Sequence, residues 1–220
     1  MYKIIEMSIH TLENIIKKSR IHPSRVFNVY IFGSNIYQTN HKDSDWDIIM
    51  IANNSVESTE IRNGLYNIHV YTPDKFVADL NWHRINNLEC IYAPDWAKLK
   101  EDIDFSDFKI DFRKLRHAIS HISSNSWVKC KKLMSKDDYY IGIKSLFHSI
   151  RIPMFATQIM RYGKITDFSC ANDVWDKLIF KNQPSYMRSS YKWTWDKLDE
   201  EFRGLHNSVL TEFRKTAPKV

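Results

Sequence analysis

Between Phe27 and Ile51 the chain reads FNVYIFGSNIYQTNHKDSDWDIIMI, two apolar stretches parted by a Gly-Ser turn and a polar insert. Val26, Phe27, Val29, Tyr30, Ile31 and Phe32 predict a strand that stops at Gly33. Trp46, Ile48, Ile49, Met50 and Ile51 predict a second, with Asp45 and Asp47 at its start. Side chains two apart on a strand share a face, so both carboxylates point the same way. Like charges that close repel, and burial adds to the cost, unless a cation sits between them. Mg²⁺ suits such a pair, because it takes hard oxygen ligands and keeps positions open for substrate phosphates. Gly33 lets the backbone approach a ligand closely, and Ser34 offers a hydroxyl and an N–H at the start of a short helix. An Asp-x-Asp pair alone is commonly a solvated turn. Beside a phosphate-cradling turn it implies metal-assisted phosphoryl or nucleotidyl transfer.

Gly33-Ser34, the spacer of residues 35–44, and then Asp45-Trp46-Asp47-Ile48 resemble the signature of the DNA polymerase β-like nucleotidyltransferase superfamily. The run Asp43-Ser44-Asp45-Trp46-Asp47 is similar to its small bacterial and viral branch, as are Val70–Phe76 and Asn87–Tyr92. The resemblance covers residues 25–180. It implies an α+β fold: a nucleotidyltransferase core with a small mixed sheet, then a helical bundle that completes a nucleotide and acceptor cleft. The core is expected over residues 1–105 and the bundle over 106–220. The implied reaction moves a nucleoside monophosphate from a nucleoside triphosphate to a hydroxyl, with Mg²⁺ or Mn²⁺ as cofactor. Asp45 and Asp47 would be catalytic metal ligands, with Gly33, Ser34 and Ser44 binding nucleotide. The acceptor stays open between an RNA or tRNA end, a protein and a small molecule.

Two departures from the pattern carry weight. Gln38 stands where the branch usually has glycine, which bears on the shape of the insert. The superfamily also places a third carboxylate on the next strand, expected here at Leu65–Thr72, where Asn67, His69 and Tyr71 alternate on one face without an acid. Either His69 or Asn67 substitutes, or Glu60 or Asp74 reaches in, or the chemistry is lost. His69 is taken as the stand-in, acting as base or orienting group. The rivals are a degenerate nucleotide- or RNA-binding member and an antitoxin-like interaction protein.

A chain of 220 residues with 43% hydrophobic residues can bury a sizeable core. A net charge of +6 suits a polyanionic partner and serves solubility equally. Cys90, Cys130 and Cys170 show no zinc spacing and are expected as reduced thiols. With no signal core and no long apolar run, the expected location is the cytoplasm, away from membrane.

In chain order, residues 8–20 predict a helix capped by Ser8, and residues 53–63 a polar loop with a short helix. Pro73 at a first helical turn predicts a helix over 73–84, followed by another over 87–92. The helices are expected on one side of the sheet. The acidic stretch Glu101–Asp111 reads as a hand-over to helices over 111–134, 137–162, 170–180 and 194–215. Pro153 would kink the second, and Gly163 ends it.

Lys144, His148 and Arg151 form one polar stripe on that second helix. The stripe reads either as a solvated face or as a nucleotide-binding row in which Lys144 or Arg151 neutralises the β- and γ-phosphates. His117 and His121 read as a surface pair lacking a third metal ligand. Lys129, Lys131, Lys132 and Lys136 read as a solvated helix end or a track for RNA. Tyr186, Arg188, Tyr191, Lys192, Trp193 and Trp195 either pin the last helix to the body or stack bases.

Overall fold

The computed structural model describes residues 2–40, 44–180 and 194–217, of which residues 2–10 and Phe180 are described by backbone alone. The fold is mixed α+β, in two compact units spanning residues 1–109 and 110–220.

The first unit is built on a five-stranded sheet in the order β3-β4-β2-β1-β5. Its strands are β1 (Val26–Phe32), β2 (Trp46–Ala52), β3 (Ser58–Asn63), β4 (Tyr66–Tyr71) and β5 (Lys98–Glu101). All neighbours are antiparallel except β2 and β4. Its helices are α1 (Tyr2–Ser19), α2 (Ser34–Tyr37), α3 (Pro73–Asn81) and α4 (Ile85–Ile91).

Several expectations are corrected here. Helix α1 begins at Tyr2, so Ser8 lies inside it. The helical spacing of Ile5, Ile9, Leu12 and Ile16 continues upstream of the proposed cap. Residues 58–63, expected in a loop, form β3, which Gly64 and Leu65 fold into a hairpin with β4, pairing Asn63 with Tyr66. Gly64 takes φ +65, which a two-residue hairpin turn requires. Strand β5 was not expected either; its four residues pair along β1.

Helices cover both faces of the sheet, not one. On one face Val29, Ile31, Ile48, Met50, Ile68 and Val70 are buried under α1, whose Lys18 reaches Asn63 on β3. On the other, Phe76 of α3 packs on Tyr30 and Tyr71 at centroid distances of 6.4 and 6.2 Å. Thr72 caps α3 by accepting from the Lys75 N–H, with Pro73 in the first turn.

The second unit comprises α5 (Phe112–Met134), α6 (Tyr139–Tyr162), α7 (Asn172–Phe180) and α8 (Trp195–Thr216). Asp111 caps α5 through the N–H groups of Arg113 and Lys114. Gly163, at φ +73, closes α6 with its N–H on the Ile159 carbonyl. Leu115, Ile119, Ile143, Leu146, Ile150, Leu198 and Phe213 form the buried interior. Trp127 of α5 meets Trp195 of α8 edge-on at 5.4 Å, so that tryptophan pins α8 to α5. Tyr186, Arg188, Tyr191, Lys192 and Trp193 lie outside the described residues. Among the described residues no helix is long and apolar enough to cross a membrane.

Candidate active site

Strand β1 ends at Phe32 opposite Asp47, so the Gly33 turn leaves the sheet beside the acidic start of β2. Gly33 takes φ +74 and ψ −148, a conformation that L side chains avoid. A Cβ at Gly33 would lie 2.6 Å from Oδ2 of Asp47, so the turn and the carboxylate are in direct contact. The Gly33 carbonyl accepts from Ile36 and Tyr37, which makes Ser34 the first residue of α2.

Two contacts fix the insert. The side-chain amide of Asn35 donates to the Asp45 carbonyl at 3.2 Å, tying the turn to the residue before β2. The Tyr37 hydroxyl donates to Glu89 on α4, and both residues are buried. Gln38 ends α2 in the left-handed region at φ 60, ψ 32, which explains why a glycine would suit that position. Asp45 is exposed, while Ser44 and Asp47 are half-buried. Asp43 lies outside the described residues.

The parallel register of β2 and β4 pairs Asp47 with Asn67 and Ile49 with His69. Asn67 Nδ2 donates to Asp47 Oδ1 at 3.1 Å and lies 3.3 Å from His69 Nε2. Because Nδ2 is the donor toward the carboxylate, His69 Nε2 acts as acceptor in that contact, and the ring proton belongs on Nδ1. The Asn67 Oδ1 atom is buried and has no hydrogen-bond partner. His69 stands edge-on to Phe32 at 5.8 Å. A row of polar side chains thus crosses the end of the sheet from Asp47 through Asn67 to His69.

Glu60 continues the row, since β3 pairs it with His69. Its carboxylate is engaged by Arg62 at 2.8 Å, and that hydrogen bond holds it below the usual range, aided by the charge of Arg62. Asp74 opens α3 beyond the opposite end of β4, four residues of strand away from Asn67. At about 3.3 Å per residue it starts far from Asp47. Among the described residues no group of three or more His, Cys, Asp or Glu side chains could hold a metal.

Lys144, His148 and Arg151 belong to α6 in the second unit. Arg151 is 2% exposed, with its Nη2 3.3 Å from His148 Nδ1 and its guanidinium 4.6 Å from the Phe155 ring centroid. Burial pushes the His148 imidazole well below its ordinary range, reinforced by the charges of Arg151, Lys144 and Lys129. Lys144 sits 5.5 Å from the Tyr140 ring centroid. The stripe is not a uniformly solvated face. His117 and His121 stack at 6.3 Å on the exposed side of α5, and Lys131 lies over the Trp195 ring at 5.8 Å.

Sequence reasoning passed over two features of this site. One is the buried Tyr37–Glu89 contact, which only the fold brings together. The other is the register that places Asn67, and not His69, opposite Asp47; the alternation of β4 showed only that the two share a face.

No family model and no curated protein matches the chain. Among solved structures it is similar to a spectinomycin adenyltransferase from Enterococcus faecialis, solved with ATP and spectinomycin. That likeness has 13% identity over 94% of this chain and 98% of the other, with a TM-score of 0.45. A nucleotidyltransferase-like protein from Exiguobacterium sibiricum shows 11% identity over 93% of this chain and 72% of the other, with a TM-score of 0.31. At such scores the functional case stands on the residues of the sheet end themselves.

Proposed function

We propose that this chain is a divalent-cation-dependent nucleotidyltransferase that moves a nucleoside monophosphate from a nucleoside triphosphate to an acceptor hydroxyl. The observation that carries this is the contact between turn and strand: Gly33 has no room for a side chain because Asp47 lies against it. A backbone turn pressed against an acidic strand start suits a phosphate and its cation together.

The donor set fits Mg²⁺ or Mn²⁺, with the Asp47 carboxylate near the start of β2, Asp45 just ahead of the strand, and a buried carbonyl oxygen of Asn67 lacking a partner. When bound, such an ion screens the phosphate charge and acts as a Lewis acid. Asp45 and Asp47 hold it, while Gly33, Ser34 and Ser44 orient the triphosphate. In the transfer, the acceptor oxygen forms a bond to the α-phosphorus and the bond from that phosphorus to the bridging oxygen breaks. Pyrophosphate leaves with the electron pair. His69 takes or orients the acceptor proton. Lys144 and Arg151 belong to the second unit, where Arg151 is buried against the Phe155 ring.

The test is pyrophosphate release from each of four NTPs with Mg²⁺ or Mn²⁺, offered total RNA, protein extract and small hydroxyl compounds including spectinomycin. Release by wild type and its loss in Asp45→Ala and Asp47→Ala supports the transferase. Release unchanged in both variants overturns it. One observation favours a second reading, a degenerate nucleotide-binding member: the position paired with Asp47 carries the amide of Asn67 instead of an acid. Nucleotide binding without release in any condition selects that reading.

A further inference from the structure

We propose that Asn67 is itself a ligand of the divalent cation, a neutral amide oxygen completing a site whose charge comes from Asp45 and Asp47. The inference rests on the site assigned above. Asn67 lies in register with Asp47 and touches its carboxylate, so any ion on Asp47 Oδ1 meets Asn67 first among the side chains of β4. Its Nδ2 serves both Asp47 and His69, while its Oδ1 is buried without a partner. A buried carbonyl oxygen left unpaired beside a carboxylate marks a missing positive or donor group.

The amide has two uses. With no ion present, its N–H is the only end that a carboxylate tolerates. With an ion on Asp47, the N–H dipole is repelled and the oxygen is attracted. The terminal torsion of asparagine is broad and roughly two-fold, so a half-turn exchanges the two ends within the same space. Asparagine carbonyl oxygens are ordinary ligands of hard cations. The turned amide gives its oxygen a partner in the ion, moves its N–H groups to the buried position the oxygen held, and requires His69 to donate from Nε2 where it accepted before. It also leaves a site of two negative charges, matched to a divalent ion and weaker than a three-carboxylate site would be.

Two measurements on the full chain test this, both with Mn²⁺ alone. In the first, free Mn²⁺ is followed by electron paramagnetic resonance for wild type, Asp47→Asn, Asn67→Ala and Asn67→Asp, each checked by thermal melting. The expected result is loss of the site in Asp47→Asn, roughly tenfold weaker binding in Asn67→Ala and roughly tenfold tighter binding in Asn67→Asp. The second is electron–nuclear double resonance of bound Mn²⁺ in protein carrying ¹³C at asparagine side-chain carbonyls. A ¹³C coupling present in wild type and absent in Asn67→Ala marks direct ligation, which a residue that only positioned Asp47 would not give. Bound Mn²⁺ with no such coupling, or equal affinity in wild type and Asn67→Ala, overturns the proposal while leaving the Asp45–Asp47 site standing. Wild type without Mn²⁺ binding, or Asp47→Asn binding as wild type does, removes that site, and this proposal falls with it.

Discussion

Gly33 and Asp47 meet so closely that a single added carbon at Gly33 would lie 2.6 Å from the carboxylate oxygen Oδ2. The positive φ of Gly33 adds strain for any other residue. Gly33→Ala is therefore expected to destabilise by about 1–3 kcal/mol and to displace Asp47. Urea unfolding measures the first effect. Pyrophosphate release, expected to fall far more than stability does, measures the second.

Gln38 occupies a left-handed cap without being glycine. Such a backbone costs an L residue about 1–2 kcal/mol, partly offset by the extra freedom glycine gains in the unfolded chain. Gln38→Gly should raise stability by about 0.5–1 kcal/mol, read as a higher denaturation midpoint with an unchanged m-value. A lower midpoint would show that the Gln38 side chain holds the insert.

Tyr37 donates to Glu89 in a fully buried contact that anchors α2, and with it the Gly33 turn, to α4. Tyr37→Phe deprives that carboxylate of a donor and should cost about 1–3 kcal/mol. The pair Tyr37→Phe with Glu89→Leu should cost less than the sum of the single changes, since the second removes the group left wanting. Additive losses in chemical denaturation would mean that the two groups act separately.

Acid should loosen the second unit through two histidines. His206 stacks on Trp127 at 4.5 Å, and burial lowers its affinity for a proton, as do the charges of Arg214 and Arg203, against a raising hydrogen bond to the Ser149 backbone. His148 is shifted the same way by burial and by Arg151, Lys144 and Lys129. Both bind protons more readily unfolded than folded, so stability is full above the ordinary histidine value of 6.5 and falls as pH drops below it. Melting temperatures at pH 7.5 and 5.5 should show the drop. His206→Gln should make it smaller, and an unchanged pH slope in that variant would clear His206 of the effect.

Strands β1 and β2 were legible because both are central and buried, so their apolar runs are unbroken. Thr72 with Pro73, and Gly163, were legible because caps are written in local chemistry. Strand β3 was not, because STEIRN lies at an edge and buries only alternate side chains partially. Strand β5, KLKE, is four residues long and equally polar. The acidic pair and the turn were readable from their spacing. That Asn67 rather than His69 adjoins Asp47 was not, because the register between parallel strands is set by their connection and packing, which no local pattern records. Glu89 is a carboxylate buried at 0% exposure whose partner lies on another element, so it reads in sequence like any surface glutamate.

Strands β1 to β4 set the whole register between Gly33, Asp47 and Asn67, and the chain that links these residues is short. Closing loops of such length is cheap, since even a doubling adds only about 0.6 kcal/mol. During synthesis these residues leave the ribosome long before α5 to α8 do. The pieces of the proposed site thus precede the helical unit in the chain and are able to find one another while that unit is still being made.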